Sequence, residues 1–224
     1  MRAMILAAGH GKRMGVLTEQ TPKPLLKVAG RYLIEYPIES LTRAGIREIV
    51  INVSYFKDQI MDALGTGSRY NAHFVYSEEE ERLETGGGIV KALPLLGADP
   101  FIVISSDVIT DYPLHQLVTR PLKLAHLVFV KNPSYHKQGD YCLNERNEVY
   151  CSSNDSWTFA SIGIYCPELF MNREPVYCRL AHLWSDAIEK RQVTGECYAG
   201  LWYNVGTAED LQEAEGDVQG FPSR

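Results

Sequence analysis

The chain has 224 residues, a length that suits one domain able to bury roughly 70–75% of its unfolded-chain surface in a single core. With 22 Lys and Arg against 28 Asp and Glu, it lacks the diffuse basic surface that drives non-specific binding to nucleic acid or membrane, so its cations must act locally. No apolar run approaches a membrane span, and five cysteines without a C-x-x-C pair (Cys142, Cys151, Cys166, Cys178, Cys197) predict reduced thiols in the cytoplasm rather than disulfides or zinc.

Strand-like apolar runs alternate with amphipathic helical patterns. A strand at 3–6 opens the chain. A helix over 33–43, with Pro37 tolerable only near its first turn and Gly45 closing it, leads to a strand at 48–52. Helices over 55–64, 87–95 and 113–119 then lead to strands at 73–77, 101–105 and 125–131. This order fits right-handed crossovers and predicts an α/β sheet covered on both faces. After residue 131 the composition turns to Asn, Ser, Asp and Tyr, and 132–158, with short strands at 148–151 and 159–165, reads as an insertion carrying a substrate pocket. A helix at 179–191, a strand at 197–203 and a closing helix at 207–216 return to the main sheet, and the residues from Gly216 onward read as frayed. No internal repeat or linker interrupts the chain.

The most informative stretch is Met4-Ile5-Leu6 running into Ala7-Ala8-Gly9-His10-Gly11-Lys12-Arg13-Met14, followed by Pro22-Lys23-Pro24-Leu25. Small residues let the backbone approach a ligand and present its N–H groups, while Arg13 and Lys23 add positive charge where a polyphosphate would lie. Prolines on both sides of Lys23 restrict the backbone and fix the direction of that cation. A dinucleotide fingerprint fails because position 14 is Met and the second strand ends in Ile51-Asn52 without an acidic residue; a Walker loop fails for want of Gly-Lys-Ser/Thr. Asp107 follows the apolar run Phe101-Ile102-Val103-Ile104, at the carboxyl end of a strand, where open α/β sheets place ligand groups. On its own it reads better as a cap or turn residue. The acidic run Glu78-Glu79-Glu80-Glu81 reads as a solvated loop.

Leu6-Ala7-Ala8-Gly9-x-Gly11-x-Arg13-Met14 with Thr21-Pro22-Lys23-Pro24-Leu25 resembles the signature of the sugar-1-phosphate nucleotidyltransferases. The resemblance extends through Leu83-Glu84-Thr85-Gly86-Gly87-Gly88, Ser106-Asp107 and Trp202-x-x-Val205-Gly206-Thr207, essentially the whole chain. Within the family the chain is most similar to the N-acetylmuramate-1-phosphate uridylyltransferases of cell-wall sugar recycling, which share its compact length, the Glu-Thr-Gly-Gly-Gly string and a Gly139-Asp140 pair.

The resemblance implies a three-layer α/β/α, Rossmann-like fold with a mixed, mostly parallel sheet and one domain. Its nucleotide-binding part would span about 1–131, its sugar-binding insertion about 132–178 and its closing segment about 179–216. It implies that the phosphate of a sugar 1-phosphate attacks the α-phosphorus of UTP. Arg13, Lys23 and Asp107 would be catalytic. Ala8, Gly9, Gly11, Lys12, Arg13, Lys23, Ser77, Thr85, Gly86 and Ser105 would hold the nucleotide, and Gly139, Asp140 and Ser161 the sugar. Asp107 and Asn204 would hold magnesium, or manganese in its place. The partners implied are small-molecule substrates, without nucleic acid or membrane, and the missing hexapeptide-repeat domain of trimeric relatives implies a monomer or weak homodimer.

Three positions depart from the family pattern: Asn204 stands where relatives carry Asp, Ser106 where they carry Gly, and Val16 where they carry Pro. Asn offers magnesium a carbonyl oxygen but no charge, so it should hold the metal less tightly. Two alternatives follow: a guanylyl- or cytidylyltransferase on another phosphorylated substrate, and a nucleotide-sugar-binding regulator that keeps the fold without the reaction.

Overall fold

The computed structural model describes residues 1–152 and 156–218. At its centre lies strand β1 (Ala3–Leu6), whose side chains alternate between two apolar layers: Ala3 and Ile5 join one buried cluster and Met4 the other. A strand buried on both faces has no polar alternation, and β1 is accordingly apolar throughout. Around it the sheet has seven strands. Strands β2 (Glu48–Val53) and β4 (Phe101–Ser105) flank β1 in parallel, and β3 (His73–Glu78) pairs in parallel with β2. Beyond β4 come β6 (Thr158–Tyr165), β5 (Ala125–Val130) and the edge strand β7 (Val193–Tyr198), giving the order β7-β5-β6-β4-β1-β2-β3.

Helices α1 (Glu35–Arg43) and α2 (Lys57–Leu64) bury Ile38, Leu41, Ile60 and Leu64 in the layer shared with Ala3 and Ile5. On the opposite face α3 (Glu84–Leu96) and α4 (Leu180–Glu189) bury Ile89, Val90, Leu183 and Trp184 against Met4 and Val50. A smaller third cluster sits under α5 (Ala208–Val218), where Ala214 and Val218 meet Met14 and Val205.

Several expectations are corrected. The strand expected at 159–165 as part of the insertion belongs to the main sheet: the chain returns as β6, antiparallel to both β4 and β5, and occupies the place between them. The strand expected at 197–203 is two, because the chain leaves the sheet after Tyr198 and resumes as a strand at Trp202–Asn204, which pairs with Val108–Thr110 in a separate antiparallel ribbon. Helix α3 begins at Glu84, so the Glu-Thr-Gly string is its first turn. The helix expected at 113–119 is a single turn, His115–Val118. In the insertion Val149–Tyr150 pairs with Cys142–Leu143. Helix α5 runs past Gly216 to Val218, and the rest of the stretch read as frayed lies outside the described residues, as do 153–155 of the insertion.

Candidate active site

Strands β1, β2 and β4 end side by side, with Leu6 opposite both Asn52 and Ser105. The loops that follow them converge at the carboxyl edge of the parallel strands, the edge where open α/β sheets hold ligands. The first loop is anchored as it leaves β1: the Ala7 N–H donates to Asn52 Oδ1 at 2.8 Å. It turns at Gly11, with φ +65°, into the 3-10 helix Lys12–Thr18. A Cβ on Gly11 would lie 3.0 Å from the side chains of both Lys23 and Thr18, so backbone and neighbours alike demand glycine. A Cβ on Gly9 would meet no atom within 4 Å, which leaves that part of the loop open toward a ligand.

Ala8, Gly9, Gly11, Lys12, Arg13, Lys23, Thr85, Ser105 and Asp107 line one cleft of about 360 Å³. Lys23 is only 9% exposed, seated in the tight turn Lys23–Leu25 that the Leu25 N–H closes on the Pro22 carbonyl at 2.8 Å. Its ammonium pairs with the Asp107 carboxylate. Each partner compensates the other, since either charge alone would be costly at this burial.

Asp107 is held from the far side by its backbone, whose carbonyl accepts the Val205 N–H at 2.9 Å. The ribbon brings Asn204 opposite Val108, the residue after Asp107. Asn204 itself is not among the cleft-lining residues, whereas Gly206 is. A Cβ on Gly206 would stand 3.1 Å from the Arg13 guanidinium, so Arg13 lies across the bare face of that glycine. The motif then starts α5: Asp210 Oδ2 accepts the N–H groups of Gly206 and Thr207 at 2.9 and 2.8 Å, and Thr207 Oγ1 accepts the Asp210 N–H at 3.2 Å, a reciprocal cap. Trp202 Nε1 donates to the Ala160 carbonyl at 3.0 Å, fastening the ribbon to β6.

Among the described residues no group of three or more His, Cys, Asp or Glu could hold a metal ion. Asp107 offers one carboxylate at the cleft wall, which suits magnesium, an ion that keeps several waters and takes further oxygens from substrate phosphates.

The acidic run is not wholly solvated. Glu78, Glu80 and Glu81 are exposed, but Glu79 is buried. Its Oε1 accepts Asn52 Nδ2 at 2.7 Å and its Oε2 accepts the Leu83 N–H at 3.3 Å, so Glu79 and Asn52 link β1 to the start of α3. Burial holds its carboxyl above the usual range, with the two hydrogen bonds acting against that shift. A Cβ on Gly88 would come within 2.6 Å of Glu79 Oε1, and one on Gly87 within 2.1 Å of the Val176 carbonyl. The N–H groups of Gly86 and Gly87 donate to the Cys178 carbonyl at 2.9 and 3.1 Å. The glycines thus let α3 close on both the strand-end network and the 176–179 segment. Gly86 and the buried Ser77 are not among the residues that line the cleft.

His10, Asn52, Glu79, Arg82 and Glu84 also line it, and sequence reasoning did not select them as site residues. His10 stacks on Tyr55, with ring centroids 5.2 Å apart, and Arg82 pairs with Glu84. Asn52 carried a legible signal, a polar residue ending the apolar run Ile49-Val50-Ile51; His10, Glu79 and Arg82, in loops, and Glu84, at the start of α3, carried none.

A second cavity of about 440 Å³ shares Leu6, Glu84, Thr85 and Ser105 with the first. Asp140 and Ser161 line it. Asp140 Oδ1 lies 3.0 Å from His136 Nε2, and its Oδ2 accepts the Phe159 N–H at 2.8 Å. Ser161 has φ +58° within β6, where the pairing register with β5 shifts between Phe159 and Gly163. A bulge of this kind re-aims a strand residue at the cost of local strain. Gly139, at φ +63°, is not on the wall; a Cβ there would lie 2.7 Å from Asn132 Oδ1, so it serves the turn before Asp140. The wall is aromatic: Phe159 meets Trp184 edge-on at 5.0 Å and Tyr165 stacks on Trp184 at 6.4 Å.

The family model described as Nucleotidyl transferase matches residues 2–142. An N-acetylmuramate alpha-1-phosphate uridylyltransferase of Neisseria meningitidis is 43% identical over 96% of this chain and 97% of its own length. One from Caulobacter vibrioides is 30% identical over 95% of each. A Bacillus anthracis protein crystallised with sucrose superposes with a TM-score of 0.90 at 19% identity, over 100% of this chain and 98% of that one, a likeness of fold.

Proposed function

The chain belongs to the nucleotidyl transferase family, and we propose that it joins UTP to N-acetylmuramate 1-phosphate, giving the UDP-sugar and pyrophosphate. The observation that carries this reading is the pair of cavities with a common wall at Leu6, Glu84, Thr85 and Ser105, one bordered by Lys12, Arg13 and Lys23, the other walled by aromatic rings. A triphosphate suits the first and a sugar the second, so the reacting phosphates would meet near Ser105. An oxygen of the sugar phosphate attacks the α-phosphorus, the bond to the bridging oxygen of the β-phosphate breaks, and pyrophosphate leaves with that electron pair. A phosphate monoester is already a competent nucleophile, so alignment and charge neutralisation supply the catalysis.

In this reading Gly9 and Gly11 bring backbone N–H groups to the triphosphate, and Arg13, braced on Gly206, meets its β- and γ-groups. Lys23 exchanges Asp107 for phosphate oxygen near the α-group. Thr85 with the Ala8 backbone, and Ser77 and Gly86 from behind the wall, shape the base site; Gly139, Asp140 and Ser161 form the sugar side. Asp107 and Asn204 would hold magnesium or manganese, a metal that offsets the negative charge of the two substrates. The enzyme acts as one domain, with the nucleotide part about 1–131, the sugar insertion about 132–178 and the closing segment about 179–216. We place it in the cytoplasm, in peptidoglycan recycling, as a monomer or weak homodimer. Among the described residues no helix is long and apolar enough to cross a membrane.

The test is pyrophosphate release from N-acetylmuramate 1-phosphate with magnesium and UTP, CTP, GTP or dTTP in turn. UTP should react fastest; faster turnover with GTP or CTP would replace the base assignment, and release from no pair would leave only a binding role. The metal assignment has its own check. Asn204→Asp should tighten Mn²⁺ binding to the protein–UTP complex and lower the metal concentration needed for half-maximal rate, and no change in either removes position 204 from the metal site.

A further inference from the structure

We infer that Arg179 recognises the carboxylate of the lactyl ether that distinguishes N-acetylmuramate from other N-acetylhexosamines, and so sets the sugar specificity of the enzyme; this rests on the function proposed above.

Among the described residues, the charged ones that line the second cavity are Glu84, Asp140 and Arg179. Both acids are engaged: Glu84 with Arg82 and, at 3.4 Å, with the Tyr177 hydroxyl, and Asp140 with His136 and the Phe159 N–H. Arg179 is solvent-exposed and is the cation of this cavity. It does not border the triphosphate cleft, where Lys12, Arg13 and Lys23 already face the phosphates. A guanidinium can donate to neutral hydroxyls, but its bidentate fork is strongest on a carboxylate, and two nearby carboxylates would repel an anionic sugar that lacked it. A cation set apart from the phosphate cleft, among aromatic rings, therefore points to a second negative charge on the sugar itself.

The backbone at Arg179 is held on both sides. Its neighbour Cys178 accepts the Gly86 and Gly87 N–H groups, and the N–H of its other neighbour, Leu180, donates to Thr85 Oγ1 at 3.1 Å. Its own carbonyl accepts the His182 N–H at 3.0 Å in the first turn of α4. The backbone that carries the side chain is thus tied to the turn of α3 that both cavities share. Among the described residues, two of those lining the cavity carry a buried donor without a hydrogen-bond partner: the Tyr165 hydroxyl and Trp184 Nε1, on residues 0% and 2% exposed. Unpartnered buried donors are costly, and a sugar with amide and carboxylate oxygens could relieve them.

The experiment compares kcat and KM for N-acetylmuramate 1-phosphate and N-acetylglucosamine 1-phosphate, which lacks the lactyl group, at saturating UTP in the wild type, Arg179→Gln and Arg179→Lys. In Arg179→Gln the ratio of kcat/KM between the two sugars should fall by roughly 10- to 100-fold, mainly through KM for the muramate ester, with Arg179→Lys recovering part of it. Equal losses on both sugars would assign Arg179 to the shared 1-phosphate or to folding, and an unchanged ratio would take it away from the carboxylate; either overturns the proposal. A wild type active on N-acetylglucosamine 1-phosphate but not on the muramate ester overturns the Arg179 assignment and the choice of sugar while leaving the uridylyl transfer. A wild type inactive on both overturns the functional reading and Arg179 with it.

Discussion

The two halves of the candidate site are built in different ways. The triphosphate cleft is made by loops that leave adjacent parallel strands, and its shape depends on backbone: Gly11 in a left-handed turn, Gly206 beneath Arg13, Gly88 against Glu79. The sugar cavity is made by side chains gathered from distant segments, Asp140 from a turn, Ser161 from a bulged strand, Arg179 and Trp184 from the start and body of α4. Phosphate is the same in every nucleotide and can be met by N–H groups and two or three cations; a sugar must be told from its epimers and needs a shaped wall. Substitutions in the first half should therefore change the rate with every sugar alike, and those in the second should change preference among sugars.

The largest expected effect is that of Asp107→Ala. It removes the anchor of Lys23 and the carboxylate offered to metal, and should lower kcat by roughly 10³-fold with any sugar 1-phosphate. A rate near normal in steady-state pyrophosphate release would take Asp107 out of the reaction; a loss confined to one sugar would erase the division between the halves. Glu79→Ala comes next. It leaves Asn52 Nδ2 and the Leu83 N–H without their acceptor inside the protein, at a cost of about 2–3 kcal/mol in urea unfolding. KM for UTP should rise as the loop after β1 loosens, while KM for the sugar ester stays closer to its original value.

The same division explains what was legible in the sequence. Gly9, Gly11, Arg13 and Lys23 fall within a continuous stretch whose composition carries its own chemistry, and all four border one cleft. The strands were legible because residues buried on both faces are apolar in unbroken runs, as in Phe101–Ile104. What periodicity could not convey was pairing. Nothing local in Thr158–Tyr165 states that it runs antiparallel between β4 and β5, and the split after Tyr198 is decided by a ribbon partner some ninety residues earlier, Thr110 opposite Trp202. Glu79 was hidden for the opposite reason: in a run of four glutamates, one is drawn inside by Asn52 and Leu83, partners that only the fold brings near. Arg179 is one exposed arginine among several until α4 places it on the sugar cavity.

The edge strand β7 is held by charge on residues that line neither cavity. Glu196 on β7 is met by the Tyr112 hydroxyl and by Arg120, with His126 Nε2 at 3.6 Å. Its carboxyl is held down at about 2, with the His126 imidazole first among the causes and Tyr112 and Arg120 adding to it. At 3.6 Å the imidazole is too far for a full hydrogen bond, so the hydroxyl and guanidinium carry more of this effect. A depressed carboxyl stabilises the fold above its unfolded value of 4.5, and that contribution is lost as pH falls from there toward about 2. With the group partly solvated, the loss should be on the order of 1–2 kcal/mol. Chemical denaturation between pH 6 and pH 3 should show it as a slope that Glu196→Gln flattens; an equal slope in the variant would place the acid sensitivity elsewhere.

The smallest effect is the most direct test of the division. Ser161 holds φ +58° in β6, a backbone that glycine adopts freely, and its side chain lines only the sugar cavity. Ser161→Gly relieves strain in the folded chain but widens the freedom of the unfolded one, so the two contributions oppose each other and stability should move by less than about 1 kcal/mol. If the hydroxyl meets the sugar, KM for the sugar ester should rise roughly 3- to 10-fold, the equivalent of one ordinary hydrogen bond. KM for UTP should hold, because Ser105, not Ser161, is the serine common to both cavities. A matching rise in both constants would mean that the bulge in β6 also governs the β4 end at Ser105, through the pairing of Ile162 with Ile104, and that the two halves are coupled rather than separable.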